Sequence, residues 1–442
     1  MTTAQVLEPA QHSGAIPGRD RPLKVALVNA ADRGGGAEAS TLSLHRALLS
    51  LGHESHVFVG TKLTDDDSVH EIRRFRCFPG VLRGARLLEE KLGWQYLYHP
   101  WFRRLDRLLP PGIDVVHFQT LWSGKLGYAD VGALPRLSRL FPTLMTLRDL
   151  WMLTGHCGYP ALGCERWKTG CGQCPDLALA PAIPRDGTRF NWNRKRRAMA
   201  RSNIRVTTVS HWLADRVREC PIFAGKAIHA VHNGIDELHF HPRPRAEMRR
   251  KLGLPEDAFI VLLAGQSVEG TSHGRGAVDY ALEALNSCGV NPFVLAIGRS
   301  AARFIERWSG KGLAVPFLND PSALAEHYAA SDVTLVASLW ETFGRIPAEA
   351  QMCGIPVAGF ATGGIPEIVV HHETGLIAER LNAPALGAAL RTLCEQPELR
   401  WRMGTDGAKR AAAMFSNATI AQTFIGHYGE VVAERRAAKS GA

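Results

Sequence analysis

The segment "DVTLVASLWETFGRIPAEAQMCGIPVAGFATGGIPE", residues 332–367, decides how the chain is read. "DVTLVAS" (332–338) is a short apolar, β-branched run, the pattern of a strand buried on both faces of a parallel sheet. The loop "LWETFGR" follows, and Pro347 suits the first position of a helix, where its missing N–H removes no bond. "AEAQMC" continues that helix, and Gly354 with Pro356 ends it. Glu349 then sits in the first helical turn and Glu341 at the carboxyl end of the strand, so both carboxylates approach one space. The N–H groups of Phe343, Gly344 and Arg345 form an anion site of the kind that holds pyrophosphate. One strand later "ATGGIPE" repeats the design, with Gly363 and Gly364 before Pro366 and Glu367. A ligand with phosphates and several hydroxyls fits such a surface. The competing account is that both glutamates only cap or solubilise helix starts.

Outward from this segment, strand and helix patterns alternate in both directions. "LKVALVNA" (23–30) precedes the loop "ADRGGGAE", and "ASTLSLHRALLSLGH" carries leucines at near-helical spacing up to Gly52. "SHVFVG" (55–60), "DVVHFQT" (114–120) and "TLMTLRD" (143–149) are further strands. The pattern restarts with "FIVLLAGQ" (259–266), "NPFVLAIGR" (291–299), the opening strand and "IPVAGFA" (355–361). The proline- and charge-rich stretch "NGIDELHFHPRPRAEMRRKLGLPEDA" reads as a linker. The predicted fold class is therefore α/β, with two Rossmann-like doubly wound domains facing across a cleft that holds the ligand. The expected division is a disordered leader (1–20), a first domain (21–240) and a second domain (241–415). A terminal helix (416–442) is expected to pack back on the first domain.

The chain has 442 residues and a net charge of +10, enough length for two cores. No run approaches the ~18 apolar residues a membrane-spanning helix needs. The first twenty residues lack a signal-peptide core, which reads as a leader before a cytoplasmic protein. Residues 185–205 carry eight basic side chains and one acid. "RGARLLEEKLGWQYLYHPWFRRLDRLLP" mixes arginines with Trp94, Tyr96, Tyr98, Trp101 and Phe102. Such a mixture suits a membrane interface, and equally a solvated face over an ordinary core. Nucleic acid is disfavoured as a partner, because no recognised binding motif accompanies the charge.

The stretch "ETFGRIPAEAQMCGIPVAGFATGGIPEIVVHHETGLI" resembles the donor-binding signature of retaining glycosyltransferases of family 4, which have the GT-B fold. "GGGAE", "TTVSHWLAD" (207–215) and "HNGID" (232–236) extend the resemblance over both halves in order. The resemblance implies a nucleotide-sugar donor, UDP- or GDP-linked, on the second domain. Glu341 would contact the transferred sugar and Glu349 the ribose, with Phe343, Gly344 and Arg345 at the phosphates. It places the acceptor, a saccharide or lipid-linked oligosaccharide, on the first domain near Gly35, Gly36, Arg148, Asp149 and the cysteine loop. It implies no catalytic metal, a role in polysaccharide assembly, and a place at the inner face of the plasma membrane.

"TGHCGYPALGCERWKTGCGQCPDL" holds Cys157, Cys164, Cys171 and Cys174 and ends in C-x2-C, half of a tetrahedral thiolate site. A structural zinc is one reading and buried free thiols the other. The block is similar to the cysteine-rich loop (155–175) of the colanic-acid-type, WcaC-like subgroup. Two positions depart from the family pattern. "TLRDLW" has Arg148 where a histidine is usual, with His117 and His156 as nearby candidates for the lost contacts. The diphosphate clamp, commonly an arginine and a lysine, reads "LLAGQSVEGTSHGRGAVDY", leaving Gln266 and Arg275 as stand-ins. These departures make a GT-B protein that binds without transferring the alternative. "TDDDS" (64–68) reads as a solvated turn more than a metal site.

Overall fold

The computed structural model describes residues 21–72, 79–97, 99–122, 127–265 and 278–440. The leader (1–20) and the two clamp stand-ins, Gln266 and Arg275, lie outside the described residues.

Two parallel sheets form the frame. The first takes β1 (Lys24–Ala31), β2 (Glu54–Thr61), β3 (Val69–Glu71), β4 (Val115–Phe118), β5 (Thr143–Leu147), β6 (Arg205–Thr208) and β7 (Ile228–Ala230), in the order β3-β2-β1-β4-β5-β6-β7. The second takes β8 (Ile260–Ala264), β9 (Phe293–Ile297), β10 (Gly312–Val315), β11 (Val333–Val336), β12 (Val357–Phe360) and β13 (Gly375–Ala378), in the order β10-β9-β8-β11-β12-β13. The central strands of each sheet are buried throughout, which is why they read as unbroken apolar runs. Chain order reverses between β1 and β4 in one sheet and between β8 and β11 in the other. In such folds ligands bind beyond the carboxyl ends of strands at these switch points. The loops after β1 and β11 are the ones that carry the glycine run and Glu341.

The strands missed in the sequence are short or lie late in each sheet: β3, β6, β7, β10 and β13. Three or four residues carry too little periodicity to stand out from loops. The stretch expected to be a linker is a structured element. It contains the helix Arg245–Leu252, whose Arg249 is buried and donates to Asp332 Oδ2 at 2.6 Å and to Ala330 O at 2.9 Å. The guanidinium is thus paired inside the second domain and does not belong to a free linker. The last helix, Asn417–Ser440, packs on β4, β5 and the helix Gly36–Ser50, and its Ile420, Phe424, Tyr428 and Val432 share one core cluster with Val25, Leu27 and Val115 of the first sheet. No helix among the described residues is long and apolar enough to cross a membrane.

Candidate active site

The Glu341 loop is fused to the glycine turn that follows β12. Gly364 N–H donates to Glu341 O at 3.0 Å. Gly363 adopts φ +59°, and a Cβ there would lie 1.6 Å from Glu341 O, so no larger residue fits against this backbone. The two motifs quoted from the sequence are thus one surface. The helix after the loop runs from Arg345 to Met352, with Gly344 (φ +110°) capping it. Pro347 is the third helical residue, not the first, still within the turn whose N–H groups have no intrahelical partner. Glu349 consequently falls in the second turn and points into the domain. It is 5% exposed, with Oε1 2.8 Å from Arg345 Nε and Oε2 accepting from Tyr328 Oη at 3.2 Å. Burial pushes its carboxyl above the ordinary range, with the Arg345 guanidinium and the Tyr328 hydroxyl pulling the other way.

Arg345 is the bridge between the halves. Its Nη1 donates to Ser40 Oγ at 3.4 Å and to Gly234 O at 3.5 Å, and its Cδ lies against Gly36. Gly36 opens the helix Gly36–Ser50, and Gly35 is its cap residue without a side-chain bond. Phe343 is buried between His232 and Phe415, with ring centroids 5.9 and 5.7 Å away.

Across the cleft, Arg148 follows β5. Its Nε and Nη2 donate to Gln119 Oε1 at 3.1 and 2.6 Å, Nη1 donates to Asn233 Oδ1, and its carbonyl accepts from Thr342 Oγ1 at 2.7 Å. Burial lowers the guanidinium to about 10, while the Glu38 carboxylate pulls it upward. It remains a cation at neutral pH. Glu38 in turn is raised by burial, with its own N–H, Arg148 and the Gly35 N–H opposing. Asp149 accepts from Trp122 Nε1 at 2.6 Å and from Trp151 N–H at 2.8 Å, so both its oxygens shape the loop that follows.

Neither suggested histidine faces this site. His117 is fully buried between Tyr428 Oη (2.8 Å) and Thr146 Oγ1 (2.7 Å) and, through Gln119 Nε2 at 3.2 Å, backs Arg148 from below. His156 lies in the cysteine loop, 3.2 Å from Pro181 O and 3.3 Å from Cys174 Sγ. The four-thiolate site expected from the C-x2-C spacing is not assembled: among the described residues no three His, Cys, Asp or Glu side chains gather as a metal site. Cys157, Cys164, Cys171 and Cys174 are free cysteines; Cys171 Sγ accepts from Gly155 N–H at 3.1 Å and Cys174 Sγ donates to Asp176 O at 3.4 Å.

The basic run 185–205 is partly internal. Arg194 pairs with Asp130, and Lys195 is buried with Nζ donating to Trp151 O (2.5 Å) and Thr154 O (3.0 Å). Tyr96 and Phe102, from the stretch that suits a membrane interface and equally a face over an ordinary core, belong to the first core, while Leu87 and Leu88 are exposed. Residues the sequence reading left without a role here are Glu38, Gln119, Ser210 and Asn233. Glu38, Ser210 and Asn233 fall inside the motifs "GGGAE", "TTVSHWLAD" and "HNGID", the only signal that marked them.

Residues 34–237 match the family described as Glycosyltransferase Family 4, and residues 244–410 match that described as Glycosyl transferases group 1. A D-inositol 3-phosphate glycosyltransferase of Thermobifida fusca is 31% identical over 207 residues, 44% of this chain and 48% of that protein. The chain thus spans about half the length of that relative. Sucrose-phosphate synthase from Thermosynechococcus elongatus superimposes with a TM-score of 0.68 at 19% identity, covering 93% of this chain and all of that one. The Anabaena protein Alr3699/HepE in complex with UDP-glucose gives a TM-score of 0.59 at 16% identity, covering 94% of this chain and 100% of its own. With family matches over both sheets in order and the same two-sheet architecture, the chain belongs to the GT-B glycosyltransferases of family 4.

Proposed function

We propose that the protein is a retaining glycosyltransferase that moves a hexose from a nucleotide-sugar to a saccharide acceptor. The observation that carries this reading is the Glu341 loop, held at the β11 switch point by Gly363 and Gly364 and facing Arg148 of the other sheet. Glu341 receives the hydroxyls of the transferred sugar, and Glu349 the ribose. Arg345 and the start of its helix lie where a leaving diphosphate accumulates charge, and a fixed cation with oriented N–H groups stabilises that charge without a metal. Arg148 adds a second cation that cannot exchange protons at neutral pH, so it serves electrostatics and orientation, not acid–base chemistry. Holding both substrates between the sheets excludes water and aligns the acceptor hydroxyl on the face the nucleotide leaves.

UDP-glucose, the ligand of the Anabaena neighbour, is the first donor to try. A lipid-linked oligosaccharide of polysaccharide assembly, met at the inner face of the plasma membrane, is the acceptor we favour; exposed Leu87 and Leu88 beside Arg83 and Lys91 support such a surface. The experiment is a screen of UDP- and GDP-sugars with Glu341→Ala as the control. Turnover that survives in a folded Glu341→Ala variant sinks the reading. A second reading, binding without transfer, draws support from Arg148, whose nitrogens are already engaged by Gln119 and Asn233. Saturable donor binding with no turnover of any donor selects it.

A further inference from the structure

Glu367 ends the glycine turn beside Glu341, yet its carboxylate serves the other sheet. Oε2 accepts from His211 N–H at 2.8 Å, Oε1 from Trp212 N–H at 2.7 Å, and His232 Nε2 lies 3.1 Å from Oε2. His211 and Trp212 open the helix His211–Glu219, which follows β6 in the first sheet. Ser210 caps the same helix through Leu213 N–H at 3.1 Å, and its hydroxyl donates to Thr342 O at 2.5 Å. Two orphan N–H groups of a first-sheet helix are therefore satisfied by a carboxylate of the second, a charge-assisted arrangement that the helix dipole favours.

The backbone under Glu367 is held as firmly as its side chain. Arg410 donates to Glu367 O at 2.9 Å and to Ile368 O at 3.0 Å. Three residues upstream, Gly364 N–H binds Glu341 O, and Gly363 packs directly on the same carbonyl. Thr342, next along, is gripped twice from the first sheet, by Ser210 at its carbonyl and by Arg148 O at its hydroxyl. A rigid turn, with a carboxylate docked at one end and the Glu341 carbonyl at the other, links domain contact to loop position.

We infer that Glu367 is a positioning residue: it docks the helix His211–Glu219 onto the second domain and thereby fixes the backbone of Glu341–Phe343. The functional weight of this coupling rests on the transfer reading above, but the coupling itself is a matter of backbone contacts. A glutamate serves here because its two oxygens reach two successive N–H groups while its charge answers the helix terminus. Alanine at 367 leaves both N–H groups and His232 without this acceptor and removes the anchor from the turn.

Amide hydrogen exchange of the full chain tests this without any substrate. In Glu367→Ala, exchange speeds up at least tenfold at 211–213 and also at 341–344 and 364, whose amides Glu367 does not touch. The amides of β8 and β9 stay as in the wild type. In Glu367→Gln, which keeps one acceptor oxygen and stands in should the alanine variant not fold, the two segments change together. Acceleration confined to 211–213, a change in one segment alone, or an equal rise in β8 and β9 overturns the coupling. Failure of the transfer reading is separate, because it shows as surviving turnover in Glu341→Ala whatever the exchange pattern.

Discussion

Arg345 and Glu349 stand one helical turn apart with Nε 2.8 Å from Oε1, and the proposed function assigns this pair to the nucleotide. Glu349 is a buried carboxyl. Burial raises its pKa, and the guanidinium and the Tyr328 hydroxyl only partly offset that. A carboxyl whose folded pKa is raised binds more protons folded than unfolded between its ordinary value and the raised one. Its contribution to stability therefore falls as pH rises through that window, and the penalty is complete above it. Glu349→Gln, a neutral isostere, is expected to melt at or above the wild-type midpoint at pH 7.5, with the advantage shrinking toward pH 4.5. The same variant loses donor binding. Thermal melts at several pH values, paired with a binding titration, check both halves.

Gly363 offers a sharper structural test. Alanine there meets both a left-handed backbone at φ +59° and the Glu341 carbonyl at 1.6 Å. The backbone conformation alone costs on the order of 1 kcal/mol, and the clash adds to it unless the loop moves. Gly363→Ala is therefore expected to lose ~2 kcal/mol or more and to reduce turnover by at least 100-fold through displacement of Glu341. Denaturant unfolding gives the first number and initial rates the second. Full activity in Gly363→Ala would mean that the loop position does not matter.

The alternating apolar runs made both sheets legible, because strands buried on both faces leave unbroken apolar stretches. The Glu341 and Glu349 spacing was equally plain, since a strand end, a helix start and a glycine turn all leave residue-type marks. What stayed hidden was pairing across the cleft. Glu367 looked like a second ligand group, and only the arrangement of the two sheets shows it capping the helix His211–Glu219. Lys195 belongs to a basic run and Arg249 to the expected linker, and a sequence does not say which basic residue turns inward to meet carbonyls. His117 and Gln119 are two residues apart and so share a strand face; the histidine is taken up by Tyr428 of the last helix and Gln119, in contact with it, holds Arg148, a division of partners that no sequence pattern marks.

The cysteine loop yields a prediction about reactivity. Burial pushes the Cys157 thiol up to about 12 and Cys171 to about 11, and raises Cys174 as well. The thiolate is the reactive form, so these three are expected to resist a thiol-specific reagent at pH 7.5 while folded and to react fully once unfolded. A chelator is expected to leave the melting midpoint unchanged, in keeping with thiols that hydrogen-bond to backbone groups and gather no metal site. Mass-spectrometric labelling before and after denaturant, with metal content measured on the same sample, settles both points. Stoichiometric zinc, with a midpoint that collapses on chelation, would restore the tetrahedral knuckle.

Lys195 carries the clearest pH signature of the fold. Its ammonium lies 3.5 Å from the centroid of the Trp151 ring and donates to the carbonyls of Trp151 and Thr154, pinning the loop that begins at Asp149. Burial lowers its pKa to about 7, against the raising influence of Cys171, Cys157 and Asp149. The unfolded chain titrates near ~10.4, so between these values it binds more protons than the folded protein. Stability contributed by this residue therefore rises as pH increases from about 7 toward ~10, and is lost as pH falls through the folded value. The buried thiols act in the opposite sense above their ordinary pKa, which is why the comparison must be made against a variant lacking only the lysine. Lys195→Met keeps the volume and removes the charge. The difference in unfolding free energy, wild type minus Lys195→Met, is expected to grow with pH between 7 and 9.5, and a flat difference would show that Lys195 does not titrate in this range.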